Sequence, residues 1–238
     1  MKKYFLVLLL SVLCCPLWGT GMQQAEQAYR EGHFATALGA YENLLNDYPN
    51  DPFLYYNIGN CYFKMGSKGL AVANYYRAFR LAPRDKDIRH NLSLALADGA
   101  ERLVPQGIPE ILHIAFFWFT ETELRGLLYI AWWSFCVAVG LWCFKHKYGK
   151  FVLAIGILLC AIAGWYTLRY QIARIPLAVV ASPVAELRSG PGNNFPASAN
   201  ISQGHLLVLQ DRRDDWQEVI VKSQGIEGWI NATDIEKI

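Results

Sequence analysis

Residues Glu31 to Pro49 read EGHFATALGAYENLLNDYP, and residues Met65 to Pro83 read MGSKGLAVANYYRAFRLAP. Alone, the first stretch has helical spacing interrupted by Gly32, Gly39 and a closing Pro49. Moved along the chain by 34 residues, it falls onto the second: Gly32 on Gly66, Ala37 on Ala71, Leu38 on Val72, Tyr41 on Tyr75 and Pro49 on Pro83. The residues before each stretch obey the same shift, Ala25 matching Gly59, Ala28 matching Tyr62 and Tyr29 matching Phe63. A fixed period turns these glycines and prolines into punctuation of a repeated two-helix unit.

Each position has a physical task. Gly66 ends a first helix (Phe53 to Met65) in a left-handed conformation that other residues avoid. Gly59 lets the paired helix come close, Ala71 is the small residue at the crossing, and Tyr75 fills the space beyond. Pro83 stops the second helix, and Asp85 caps the next. In the first unit the early helix (Gln23 to Glu31) has Ala25 where the second has glycine. A further helix, from Asp87 to about Ala100, places Ile88, Leu92, Ala95 and Leu96 on one apolar face and covers the end of the stack. Gly39 has no such reason, since Ala73 stands in its place one period later.

This order of small, aromatic and proline positions resembles the tetratricopeptide repeat. The resemblance implies an all-α array over residues 22–101, with a peptide held on the face made by the first helix of each unit. It nominates Tyr56, Asn57, Asn60 and Phe63, joined by Tyr29 and Glu26, as peptide-binding candidates. An asparagine offers both donor and acceptor to an extended backbone. The alternative, that Asn57 and Asn60 satisfy neighbouring helix ends, stays open here.

Composition points to a membrane. Of the 238 residues, 53% are hydrophobic and 18% charged, against about 25% charged in an ordinary soluble domain. Leu124 to Phe144 is a run of 21 residues with one charge, Arg125, and Phe151 to Leu168 a run of 18 with none. Both have spanning length. The second transmembrane segment is set at 151–170. The loop 145–150 carries Lys145, Lys147 and Lys150, which predicts a cytoplasmic turn. The N-terminus, with Lys2 and Lys3 before an apolar run from Phe5 to Cys15, reads as a secretory signal over residues 1–21, closed by small or helix-breaking residues from Pro16 to Gly21. Both signals predict a multi-pass protein of the inner (cytoplasmic) membrane, with residues on either side of the hairpin outside the cytoplasm. The linker, 102–123, reads as a helix lying in the interface, with Ile111, Ile114, Ala115 and Trp118 as its apolar stripe and His113 as a surface residue.

From Pro176 the pattern changes to short β-type runs: LAVVAS, AELRS, HLLVLQD, WQEVIVK and EGWIN. Leu187-Arg188-Ser189-Gly190-Pro191, Gly204, Asp215-Trp216 and Glu227-Gly228-Trp229-Ile230 together resemble a bacterial SH3 domain. That resemblance implies a small all-β barrel over residues 177–238. Trp216 and Trp229 become candidates for its groove, against the alternative of core or rim packing.

No chemistry-bearing motif emerges. Gly-rich phosphate loops, H-E-x-x-H and G-x-S-x-G are missing from the sequence. Asp214 and Asp215 sit in an expected turn, and Cys61, mid-helix, reads as a packed thiol. A net charge of +2 gives no broad attraction to nucleic acid. The expectation is a non-enzyme without metal or cofactor. The order of signal, repeats, two spans and SH3-like module resembles the BatE-type proteins of the aerotolerance operons. It implies a cell-envelope scaffold that works with other Bat membrane proteins, some with von Willebrand factor A domains, and with a MoxR-type ATPase. A peptidoglycan-binding or sensing role through the SH3-like module is the alternative.

Overall fold

The computed structural model describes residues 16–98 and 101–238. Most of the expected signal segment lies outside these residues. The chain forms two compact units: residues to Leu103 together with Leu177–Ile238, and Val104–Pro176.

In the first unit, α1 (Pro16–Arg30) and α2 (Phe34–Asp47) are followed by α3 (Pro52–Lys64), α4 (Lys68–Leu81) and α5 (Lys86–Asp98). The period is visible in the helix boundaries. Adding 34 to the ends of α2 gives those of α4, and adding it to α3 gives α5. The terminal helix is therefore the first helix of a third unit, and its Ile88, Leu92, Ala95 and Leu96 are all buried. Pro16, Gly19, Thr20 and Gly21, expected as small or helix-breaking residues at the end of the signal segment, belong to α1.

The punctuation repeats from unit to unit. Gly32 and Gly66 take φ of +83° and +82°. The residue after each closes a six-residue loop on the helix it ends, His33 N to Ala28 O at 2.9 Å and Ser67 N to Tyr62 O at 2.9 Å. This satisfies carbonyls that a helix C-terminus leaves orphaned. Asp51 Oδ1 accepts the Phe53 amide at 2.8 Å, and Asp85 Oδ1 accepts those of Asp87 and Ile88 at 2.9 and 3.0 Å. Packing follows the same rule: Ala37 with Tyr41 and Ala71 with Tyr75 are buried. A Cβ on Gly59 would stand 2.7 Å from the Tyr75 ring, so glycine is required for that approach.

The C-terminal part is a seven-stranded antiparallel sheet: β1 (Leu177–Val180), β2 (Val184–Arg188), β3 (Ala197–Ser202), β4 (Leu206–Arg213), β5 (Trp216–Val221), β6 (Ile226–Asn231) and β7 (Ile235–Lys237), in the order β3-β2-β6-β5-β4-β1-β7. Ile201 at one edge and Ile235 at the other belong to the same buried cluster as Leu187, Val219 and Ile230. The sheet therefore bends around one core, helped by register shifts at Leu187/Arg188 and Leu209/Arg212. The sequence reading omits β3 and β7. Of the six β3 residues only Ile201 is buried, so the strand lacks an alternating apolar face, and β7 is three residues long. Asp214 and Asp215 form the β4–β5 turn, Asp214 with φ of +51°.

Array and sheet pack together. A Cβ on Gly69 of α4 would run into the Val180 carbonyl oxygen and stand 2.9 Å from the Ala181 Cα. One turn on, Ala73 is fully buried, and a further turn on Arg77 pairs with Glu236 and donates to the Lys237 carbonyl. Past α5, Glu101 is buried with Oε1 3.4 Å from the Leu206 amide and 3.7 Å from Nδ1 of buried His205.

In the second unit, α6 (Glu110–Phe117) precedes α7 (Glu121–Phe144), a short turn at His146–Tyr148, and α8 (Gly149–Ala173). Thr120 and Glu123 cap α7 reciprocally. Helices α7 and α8 are long and apolar enough to cross a bilayer, and almost nothing on them is buried by protein. His113, expected on the surface, is buried 4.7 Å from the Phe117 ring. Arg169 and Trp165 of α8 both donate to the Phe116 carbonyl, at 3.1 and 3.2 Å. These bonds hold the His113–Phe117 side of α6 inward, so Ile111 and Trp118 of the expected stripe face outward.

Candidate functional site

The first helices of the three units, α1, α3 and α5, carry the expected binding residues. Two of them, Tyr56 and Asn60, are linked through Asn91 of α5. Asn60 Oδ1 accepts the Tyr75 hydroxyl at 2.7 Å and the Asn91 amide at 3.0 Å, and Asn91 Nδ2 also donates to the Tyr56 hydroxyl at 3.0 Å. The Tyr56 and Tyr75 rings lie 5.9 Å apart. Four side chains on three helices are thus tied into one network. Asn60 bonds to side chains of the following helices rather than to a helix end.

This network orients both amides. With Oδ1 of Asn60 engaged twice, its Nδ2 has no partner among the described residues, and the same holds for Oδ1 of Asn91. Asn60 and Asn91 are both half-buried rather than sealed in the core. A free amide donor on one helix and a free amide acceptor on another are the groups that a peptide unit needs.

The remaining candidates sit around this centre. Tyr29 packs edge-on against Phe34 at 5.3 Å, and burial raises its hydroxyl pKa, with Cys61 and Tyr56 adding to the shift. Glu26 is ion-paired with Arg30 at 3.3 Å on the surface, an interaction worth little by itself. Asn57 and Phe63 are half-buried, and Asn57 makes no side-chain hydrogen bond among the described residues. Burial pushes Tyr41 up to about 12 and raises Tyr75 above its ordinary value. Cys61 is fully buried and pushed up to about 11 by burial, then by Glu42. A thiol so placed is protonated and inert near neutral pH.

Asn91 is missing from the sequence reading. Its signal was present, for it stands 34 residues after Asn57. The shift that reveals two units finds it when carried one step further.

On the C-terminal sheet, Trp216 pairs with Arg213 and Asn231, Glu218 pairs with Trp229, and Trp229 pairs with Arg188. Residues opposite one another share a face, so both indoles lie on the face away from the core. Arg188 stands 5.9 Å above the Trp216 ring and Arg213 5.4 Å above that of Trp229. Arg188 also donates to the carbonyls of Asn193 and Phe195 at 3.1 and 2.7 Å, tying down the loop after β2. Trp229 is only 7% exposed, whereas Trp216 is half-buried. Among the described residues no group of three His, Cys, Asp or Glu is placed to hold a metal ion.

No family model matches the chain. Tetratricopeptide repeat protein 16 of Homo sapiens and of Macaca fascicularis are each 30% identical to it over 70 residues, which is 29% of this chain and 8% of theirs. The chain thus spans a small part of the length of these relatives. The type III secretion translocator chaperone SycD of Yersinia enterocolitica superposes only loosely, with a TM-score of 0.34 and 16% identity, over 64% of this chain and 85% of that one. The chain carries a tetratricopeptide-like helical repeat, two long apolar helices and a C-terminal antiparallel sheet.

Proposed function

We propose that this protein is a membrane-anchored, non-enzymatic scaffold of the bacterial envelope that holds an extended peptide of a partner on its repeat array. The observation that carries the reading is the Tyr56–Asn91–Asn60–Tyr75 network, which spends one side of each half-buried amide on internal bonds and leaves the other without a partner among the described residues. Residues 124–144 and 151–170 are the spans, and α6 lies in the interface. Array and sheet supply independent support for a hairpin. The chain leaves their common unit at Leu103 and returns at Leu177. A bilayer cannot pass through a packed unit, so the segment between crosses an even number of times if it crosses at all. Lys145, Lys147 and Lys150 put the turn on the cytoplasmic side and the array with the sheet outside. Partners of the Bat type, including von Willebrand factor A domain proteins, fit this placement.

The test is a photo-crosslinking residue at Asn57 or Phe63 of the full chain in intact membranes. Crosslinked partners lost in the Asn60→Ala/Asn91→Ala variant support the reading, and unchanged crosslinks overturn it. The two arginine-covered indoles favour a second reading, an SH3-like module that binds peptidoglycan. Co-sedimentation of the detergent-solubilised chain with purified peptidoglycan, abolished by Trp216→Ala, would establish it. No co-sedimentation would leave the sheet as a protein-contact module.

A further inference from the structure

Between the two apolar helices lies a groove that the proposed scaffold does not use. It is lined chiefly by Trp133, Val137 and Leu141 of α7 and by Tyr148, Phe151 and Ile155 at the turn and the start of α8, with a volume of about 530 Å³. That volume lies within the ~300–1,000 Å³ range of small-molecule sites. The wall is apolar even where it carries an oxygen, since Ser134 Oγ is spent on the Ile130 carbonyl at 2.8 Å.

The groove opens beside a strongly cationic turn. Lys145, Lys147 and Lys150 are all exposed, and none has an ion pair among the described residues. Lys147 Nζ lies 5.1 Å from the centre of the Tyr148 ring, which is itself part of the groove wall. No aspartate or glutamate occurs between Glu123 and Glu186. Glu123 stands at the far end of α7, more than five turns from the lysines. Within this hairpin the cationic turn therefore has no nearby carboxylate in sequence, and charge of the opposite sign must come from elsewhere.

The geometry points to a binding site for one anionic phospholipid, its acyl chain in the groove and its headgroup phosphate held by Lys145, Lys147 and Lys150. The apolar walls accept any acyl chain, so the choice between lipids rests on the headgroup. A lysine near an anionic headgroup favours it by about fivefold. Three lysines together give a preference for anionic over zwitterionic lipid on the order of 100-fold, reduced by partial screening. The inference rests on the membrane-spanning reading, and the experiment separates the two.

The full chain, purified in detergent, is offered an equimolar mixture of phosphatidylglycerol and phosphatidylcholine, and retained lipid is counted by native mass spectrometry. One retained phosphatidylglycerol is expected, in at least tenfold preference. Lys145→Gln/Lys147→Gln/Lys150→Gln, at exposed positions, removes the preference. Val137→Trp, at an exposed groove position, fills the groove and removes the bound lipid. Equal retention of both lipids overturns the site, as does a preference that survives the lysine variant. A preference lost with the lysines but indifferent to Val137→Trp overturns it too, since the lysines then attract annular lipid without a groove. Alkaline carbonate extraction of the wild-type chain keeps the readings apart. Release from the membrane sinks the spanning reading itself, whereas retention without lipid preference sinks the lipid site alone.

Discussion

Helices α2 and α4 stand one period apart, begin and end at equivalent residues, and bury equivalent alanine–tyrosine pairs, yet their outer sides differ. On α4 the stripe of Gly69, Ala73 and Arg77 carries the C-terminal sheet. On α2 the equivalent residues are Ala35, Gly39 and Asn43, and a Cβ on Gly39 would meet nothing within 4 Å. The repeat dictates what each helix shows its neighbours inside the array. What it shows outward is set by what docks there, and among the described residues the sheet docks on the second repeat.

Substitutions separate these two layers. Tyr75→Ala removes a buried ring and the hydroxyl that orients Asn60, and should cost about 3–5 kcal/mol in chemical denaturation of the solubilised chain. An effect below 1 kcal/mol would mean the unit is not packed as described. The outer stripes should respond with opposite signs. Gly69→Ala forces a methyl into the backbone of β1 and should cost about 1–3 kcal/mol. Gly39→Ala meets no neighbour and should stabilise by about 0.5–1 kcal/mol through helix propensity. Equal effects at the two sites would erase the distinction between covered and open faces. Arg77→Ala loses a partly exposed ion pair and should cost about 1 kcal/mol, whereas Asn43→Ala should stay within about 0.5 kcal/mol of zero.

The smallest effect at ordinary pH comes from the tyrosines. Tyr41 and Tyr75 hold their protons more tightly folded than unfolded. Their contribution is complete below about pH 10, the unfolded value, and is lost as pH rises through the folded values. Melting temperatures should therefore be insensitive to these groups from pH 7 to 9 and fall above pH 10. Tyr41→Phe should blunt that fall.

The array was legible because its rule is local and repeated. Gly66, Ala71, Tyr75 and Asp85 each do what their spacing says. The two apolar helices were legible from composition, although α7 begins three residues before the expected 124–144 and α8 extends two residues before and three beyond the expected 151–170. Tertiary context decides the remainder. His113 is buried because Arg169, more than 50 residues later, helps fix α6 through the Phe116 carbonyl. Strand β3 carries no pattern of its own and exists because β2 offers it an edge. The docking of sheet on array was invisible, for no motif relates Gly69 to Val180. Of the candidate site, Tyr56 and Asn60 were readable from the first-helix positions, while the orientation of their polar groups needed Asn91.

The claim on which the placement of every module depends is that array and sheet form one unit by way of α4. Short bis-maleimide crosslinking of cysteine pairs in the full chain tests it most directly, in a background where the native cysteines are replaced by alanine. Arg77→Cys with Glu236→Cys should crosslink rapidly within one molecule, and Asn43→Cys with Glu236→Cys should not. Failure of the first pair, or equal reaction of both, would contradict it.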